Sequence, residues 1–233
     1  IRFKEPIDPN RFETIAFLVH TQERPTLIIA PTSVIFNWSA ELERFAPHLS
    51  VLEFTGSKRH GLHAELEKVD VVLTSYALIR RDIDLLAQVD WAHVVLDEGQ
   101  NIKNDQSQTT QAVKQLNAEQ RIVLTGTPME NRLEELWSLF DFLMPGFLAR
   151  KHDFQRQYAD AIEKQNNSER GAQLRKKIAP FILRRTKEQV VTELPEKTET
   201  ILHVPMQPEQ EKLYKSILAA CKTKVFQTLE EKG

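Results

Sequence analysis

Asp97 and Glu98 stand together at the end of the apolar run His93–Leu96, a position from which two carboxylates can do phosphate chemistry. An Asp at the end of a buried strand holds Mg²⁺ through its carboxylate, usually with water between. A Glu beside it orients and deprotonates the water that attacks a γ-phosphate. The same pair has a plainer reading, because two acids also favour the start of a following helix through its dipole. Taken alone, the dipeptide leaves both open. Other runs end in residues suited to phosphate, magnesium or backbone hydrogen bonding. Pro31-Thr32-Ser33 follows Leu27–Ala30, Thr74-Ser75-Tyr76 overlaps the end of Val69–Leu73, and Thr125-Gly126-Thr127-Pro128 follows Arg121–Leu124. Each again has a plain reading. The Thr-Gly-Thr-Pro stretch alone makes a turn, and Tyr76 and Trp38 fall at helical spacing with other apolar residues, as core residues do. Arg184-Arg185-Thr186-Lys187 reads locally as a solvated face. His60 and His63 lack the companion ligands a zinc site needs.

Those run ends matter only if one framework lines them up. Short apolar, β-branched runs recur at Leu27–Ala30, Val51–Phe54, Val69–Leu73, His93–Leu96 and Arg121–Leu124. Between most of them the apolar spacing turns helical, as in Ile35, Trp38, Leu42 and Phe45, which share one helix face. Strands alternating with helices of this length predict βαβ units and a doubly wound α/β fold with a parallel sheet covered on both faces. Ligands of such sheets bind at the carboxyl ends of the strands, where the residues above stand. After Pro145-Gly146 the chain becomes polar, charged and helical, with a turn at Asn166-Asn167-Ser168. Pro195 and Pro205 bracket a strand-like piece, Thr200–Val204, and Gln207–Glu231 reads as one long helix with Leu213, Ile217, Leu218 and Val225 inward.

The bulk numbers exclude more than they assign. With 41% apolar and 27% charged residues, the 233-residue chain has an ordinary globular composition. No apolar run approaches the roughly 20 residues of a membrane span. Cys221 is the lone cysteine, so no internal disulfide is possible and a reducing interior is the default compartment. A net charge of −2 gives no overall field for nucleic acid, so any such binding must come from local patches. The chain opens on Ile1 and ends in a charged helical pattern, and it is expected to be a piece of a larger protein.

LDEGQNIKN, followed by VLTGTPMENRLEELWSLFDFL, resembles the Swi/Snf-type branch of the superfamily 2 helicase-like ATPases. LIIAPTSVIFNWSAELERFAP, VVLTSYALI, APFILRRTK and ELPEKTE match further blocks of that family in the same order. The resemblance runs from about Thr14 to Tyr214. It implies a RecA-like sheet of the P-loop NTPase type with a helical extension. The implied parts are a first lobe over residues 1–146, an extension and connector over 147–205, and a helix over 206–233 leading to a second lobe. It implies ATP and Mg²⁺ as cofactors, with Asp97 serving the metal through water, Glu98 the hydrolytic water and Gln100 sensing nucleotide state. Thr125, Gly126 and Thr127 look like the motif coupling hydrolysis to closure of two lobes. Pro31, Thr32, Thr74, Ser75 and Tyr76 resemble the loops that grip one DNA strand by its backbone, and Arg184 and Arg185, implied as further DNA-binding residues, lie where the extension leads toward the second lobe. The implied partners are double-stranded DNA, a second RecA-like lobe carrying arginine fingers, and a DNA-bound protein target such as RNA polymerase, with no membrane. The implied location is the cytoplasm near the nucleoid for a bacterial protein, or the nucleus for a eukaryotic one. The compact spacing resembles bacterial members more. A catalytically inactive DNA-binding scaffold derived from such motors is one alternative. A DEAD- or DEAH-type helicase is another, against which Gln100 and the FILRR block speak.

One family element is missing. A G-x-G-K-T-type loop should precede the helix containing Thr14–Leu18, giving glycines for close backbone approach to phosphate and a Lys for its charge. The sequence there reads Pro6-Ile7-Asp8-Pro9-Asn10-Arg11-Phe12. Either the loop is lost, or its residues belong to the protein and are not in this sequence. The intact DEGQ and LTGTP motifs favour the second. On either reading this chain by itself is expected to bind nucleotide weakly and turn over little.

Overall fold

Five strands form one parallel sheet in the order β2-β3-β1-β4-β5: β1 is Thr26–Ala30, β2 Val51–Glu53, β3 Val71–Ser75, β4 Trp91–Leu96 and β5 Ala118–Val123. The computed structural model describes residues 8–126, 132–184 and 205–232. Thr127, Pro128, Arg185 and the strand-like piece Thr200–Val204 lie outside the described residues. The α/β reading holds, including a sheet packed on both faces.

Alternation within each strand divides the core. Leu27, Ile29, Val72, Val94 and Leu96 point to one face, where α3 (Tyr76–Ile79), α4 (Ile83–Leu86), α5 (Gln108–Lys114) and α6 (Leu133–Leu143) cover them. Ile28, Ala30, Val71, Leu73 and Val95 point to the other, under α1 (Pro9–Thr21) and α2 (Ile35–Phe45). Every residue of β1, β3 and β4 is buried, so these three read as near-continuous apolar runs. β5 differs. It is an edge strand, and it begins at Ala118-Glu119-Gln120, three residues ahead of the expected Arg121, because an exposed edge tolerates polar side chains. β3 also starts and ends two residues later than expected, which puts Thr74 and Ser75 inside the sheet.

The chain divides into two compact units, Ile1–Ile182 and Leu183–Gly233. In the first, α7 (Lys151–Phe154), a π-helical stretch (Gln155–Lys164) and α8 (Ser168–Ile178) gather a third apolar cluster around Trp137, Phe140, Phe154, Leu174 and Ile178. The expected turn is present. Asn166 takes a left-handed φ of 51°, and Asn167 caps α8 by accepting the Arg170 amide at 3.0 Å. In the second unit, α9 (Pro208–Lys232) forms as the spacing predicts. The same spacing predicts an inward face, yet Leu213, Ile217 and Leu218 are exposed. A single helix has no second element to pack against among the described residues of that unit. No helix among the described residues is long and apolar enough to cross a membrane.

Candidate functional site

Strand register builds the site. Ala30 pairs with Ser75, Ile29 with Leu96 and Leu96 with Val123. The residues that follow, Pro31, Tyr76, Asp97 and Leu124-Thr125, therefore emerge side by side on one edge. The Asp97 amide still donates to Ile29 O at 2.9 Å, and the Leu124 amide to Leu96 O at 2.8 Å. The sheet's ladder thus fixes the backbone up to the point where the functional side chains begin.

Asp97 is 8% exposed, and its carboxylate is held from two sides. Trp38 Nε1 donates to Oδ2 at 2.8 Å, and the Glu98 amide donates to Oδ1 at 2.9 Å. From below, the Tyr76 hydroxyl donates to the Asp97 carbonyl at 2.7 Å. Burial pushes the Asp97 carboxyl above the usual carboxylate range. The Trp38 and Glu98 hydrogen bonds pull it down without overcoming that, the neighbouring Glu98 charge pushes it up, and Arg11 pulls it down. Burial also raises the Tyr76 phenol well above its ordinary value, aided by the negative charges of Asp97 and Glu98, so it serves as a neutral donor.

Glu98 sits at a left-handed φ of 52°, ψ 57°. A non-glycine residue there carries strain that only the surrounding structure maintains. The neighbouring Gly99 explains how it is kept. Its amide donates to Leu124 O at 2.8 Å, and a Cβ at Gly99 would run into the Val123 side chain. The turn after Glu98 therefore presses its backbone against the end of β5, which only glycine allows. Gln100 then joins the two strand ends. Its Nε2 donates to Glu98 Oε2 at 2.8 Å, and its Oε1 accepts from Thr125 Oγ1 at 3.0 Å. Among the described residues, nothing lies within 4 Å of where a Cβ at Gly126 would stand.

The residues singled out for a nucleic-acid backbone are placed differently from one another. Thr32 is exposed and Pro31 half-buried on the loop after β1. Thr74 is fully buried and its hydroxyl donates to the Phe54 carbonyl at 3.1 Å, while Ser75 is 3% exposed. Arg184 is exposed, in the second unit. No group of three or more His, Cys, Asp or Glu side chains able to hold a metal occurs among the described residues.

Two residues of the site carry no clear mark in the sequence. The spacing of Trp38 points to the core alone, and it is fully buried. A buried indole still needs an acceptor for its N–H, and an acid at the end of a neighbouring strand is the available signal. Arg11 is 9% exposed, with Nη2 at 2.9 Å from Glu41 and Nη1 at 3.2 Å from Asp8. An arginine in the first turn of an amphipathic helix gives no local sign of such burial.

A model of the SNF2-related domain matches residues 12–233. A putative ATP-dependent helicase/translocase of Bacillus subtilis, YwqA, is 44% identical over 216 residues, covering 88% of this chain and 23% of that protein. The TATA-binding protein-associated factor BTAF1 of Arabidopsis thaliana is 40% identical over 205 residues, covering 82% of this chain and 10% of that protein. Among solved structures, the Sulfolobus solfataricus SWI2/SNF2 ATPase core in complex with dsDNA superposes with a TM-score of 0.73 at 39% identity. It covers 93% of this chain and 47% of that one. The chain thus spans less than half the length of each of these proteins.

Proposed function

The chain belongs to the SNF2-related family, and on that premise we propose that it is the first motor lobe of an ATP-driven translocase that acts on double-stranded DNA and remodels protein–DNA complexes. The supporting observation is the hydrogen-bonded chain from Trp38 through Asp97 and Glu98 to Gln100 and Thr125, at the carboxyl edge of the sheet. Residues 1–146 form the ATPase lobe in this reading, 147–205 the extension and connector, and 206–233 the helix toward a second lobe.

The fit of the cofactors is divided. One carboxylate with a free lone pair on each oxygen suits Mg²⁺ bound through water, so Asp97 is the residue that would hold it. Bound there, the metal would neutralise charge on a phosphoryl group. The phosphate half does not fit. No glycine lies among Asp8–Phe12, and the first amides of α1 are already taken by a carboxylate. No step is therefore derived through the nucleotide.

The chain's own residues supply the rest. Trp38 and the Glu98 amide aim the Asp97 carboxylate, and Tyr76 pins the peptide that carries it. Gln100 tethers the Glu98 carboxylate, which is the group able to take a proton from water. Any movement of Glu98 pulls on Gln100 and, through Thr125, on the end of β5, which gives the site a mechanical outlet toward Gly126 and Thr127. Pro31 and Thr32 offer a surface for contacts to a DNA backbone that are independent of sequence, with Thr74, Ser75 and Tyr76 shaping the neighbouring strand end. Arg184 and Arg185 would serve the approach of the second lobe.

A second reading, a DNA-binding module that has left hydrolysis behind, is favoured by the occupied amides of α1. ATPase assays on the whole protein with duplex DNA, single-stranded DNA and RNA separate the readings. Stimulation by duplex alone supports the motor. Duplex binding without hydrolysis supports the module, and preference for RNA or single strands would move the protein to an unwinding helicase.

A further inference from the structure

We propose that Asp105 and Lys151 are positioning residues for the Asp97–Glu98 centre, their ion pair tying the helical extension to the turn that carries Gln100. The proposal rests on the motor reading and deepens it, because it names what governs the hydrolytic step from outside the site.

The turn after β4 is held at both ends. Its first half faces the site, where Gln100 joins Glu98 to Thr125. Its second half is anchored outward. Ile102 is fully buried, and its carbonyl accepts the equally buried Ser138 hydroxyl of α6 at 2.6 Å. Asp105, further along, accepts from Lys151 Nζ of α7 at 2.6 Å, across 46 positions of chain. Asn104 stiffens the link between the two anchors. Its carbonyl accepts the Thr110 hydroxyl at 2.7 Å, and its Oδ1 accepts the Gln106 amide at 3.0 Å. A displacement of Lys151 is therefore passed along the backbone to Gln100 rather than absorbed in a loose loop.

This ion pair differs from the others of the extension. Arg156–Asp153 and Lys164–Asp160 join near neighbours in sequence and are exposed, and such pairs contribute little. The Asp105 side chain is only 14% exposed and that of Lys151 33%. Burial pushes the Asp105 carboxyl up, but hydrogen bonds from Lys151 and Gln106 hold it below its usual range, so the pair is charged at neutral pH. Among the described ion pairs it alone joins residues 147–182 to residues before them.

The backbone aims Lys151. Ala149 sits at a left-handed φ of 63°, a conformation that a non-glycine residue keeps only where its surroundings impose it. Trp137 helps impose it, donating from Nε1 to the Ala149 carbonyl at 3.2 Å. The extension's other holds are on α6, through that bond, the apolar cluster around Phe140, and Glu163, which accepts the Leu133 amide at 2.7 Å. Loss of the ion pair thus leaves the extension folded on α6 and frees only the turn, which separates a positioning role from a structural one.

The test compares the whole wild-type protein with Lys151→Gln, Lys151→Arg and Asp105→Asn. Duplex-stimulated ATP hydrolysis gives kcat and KM. Hydrogen exchange read by mass spectrometry follows the Gly99, Asn101 and Lys103 amides, which bond to the Leu124, Glu98 and Gln100 carbonyls. Lys151→Gln and Asp105→Asn should lower kcat roughly two- to tenfold with KM for ATP unchanged, and Lys151→Arg should retain the wild-type value. Both neutral variants should also speed exchange in the turn by roughly two- to fivefold and leave α8 unchanged. Wild-type exchange in the turn overturns the proposal, as does a wild-type kcat in both neutral variants. A loss of kcat as large in Lys151→Arg as in Lys151→Gln overturns it too. Faster exchange in a protein that duplex DNA does not stimulate overturns the motor reading and leaves the tie between extension and turn standing.

Discussion

Replacing Trp38 by Phe tests whether the indole holds the Asp97 carboxylate or merely fills space. Trp38 is fully buried, Asp97 is 8% exposed, and their hydrogen bond is 2.8 Å long. The substitution has two costs. Losing a donor to a buried charged group costs about 1.5–3 kcal/mol, and the smaller ring leaves a void costing on the order of 1–2 kcal/mol. The total, about 2.5–5 kcal/mol, should lower the midpoint of thermal unfolding by roughly 5–20 °C for a chain of this size. A double-mutant cycle separates the terms. In an Asp97→Asn background the acceptor is uncharged, so Trp38→Phe should cost about 1–2 kcal/mol less, a coupling typical of residues in contact. The assay is urea unfolding at neutral pH of the wild type, both single variants and the double variant. Additivity within about 0.3–0.5 kcal/mol would refute the reasoning and make Trp38 a packing residue only.

Gly99→Ala places a Cβ against Val123 and strains the contact of the Gly99 amide with Leu124 O, so it should destabilise the chain by about 1–3 kcal/mol in urea unfolding. If the proposed motor reading holds, Glu98→Gln should leave unfolding midpoints nearly unchanged while lowering DNA-stimulated ATP hydrolysis of the whole protein by roughly 10²–10⁴-fold. Gln100→Ala should reduce the same rate without weakening DNA binding, read by filter binding, because it cuts the link between Glu98 and Thr125. Asp70 gives a pH dependence. Burial pushes its carboxyl up, but hydrogen bonds from the Ser50 hydroxyl and amide and the Arg24 guanidinium hold it below the usual range. A folded pKa below the unfolded value means its stabilisation is complete above the unfolded pKa, near ~3.9, and fades as pH falls through the folded one. Asp70→Asn should therefore flatten the acid limb of an unfolding-against-pH curve between about pH 5 and 2, and an unchanged limb would count against the assignment.

Much of the framework is legible in the order and type of the residues. The parallel sheet follows from runs such as Val94-Val95-Leu96, which are apolar on both faces and can only be buried on both. Asp97 and Glu98 stand out because a charged pair directly after such a run must sit where the strand leaves the sheet. The ordered family blocks then give Gln100 and Thr125 their significance. Less legible are β5, whose polar start reflects an edge position, and Thr74, whose hydroxyl turns inward to Phe54 because β3 extends further than its apolar run. α9 is foreseeable as a helix but not in its exposure, since helical spacing says which residues share a face and not what stands opposite it.

The sequence by itself thus determined which elements form and which residues leave the strands at their carboxyl ends, because strand and helix periods are local properties of a few consecutive residues. Only the tertiary structure decided what those residues touch. Trp38 reaches Asp97 across 59 positions of chain, Arg11 reaches Glu41 across 30, and Gln100 meets Thr125 across 25. Such pairings depend on strand register and on which helix covers which face. Neither is written in any short stretch of sequence, because both are settled by packing of the whole sheet at once.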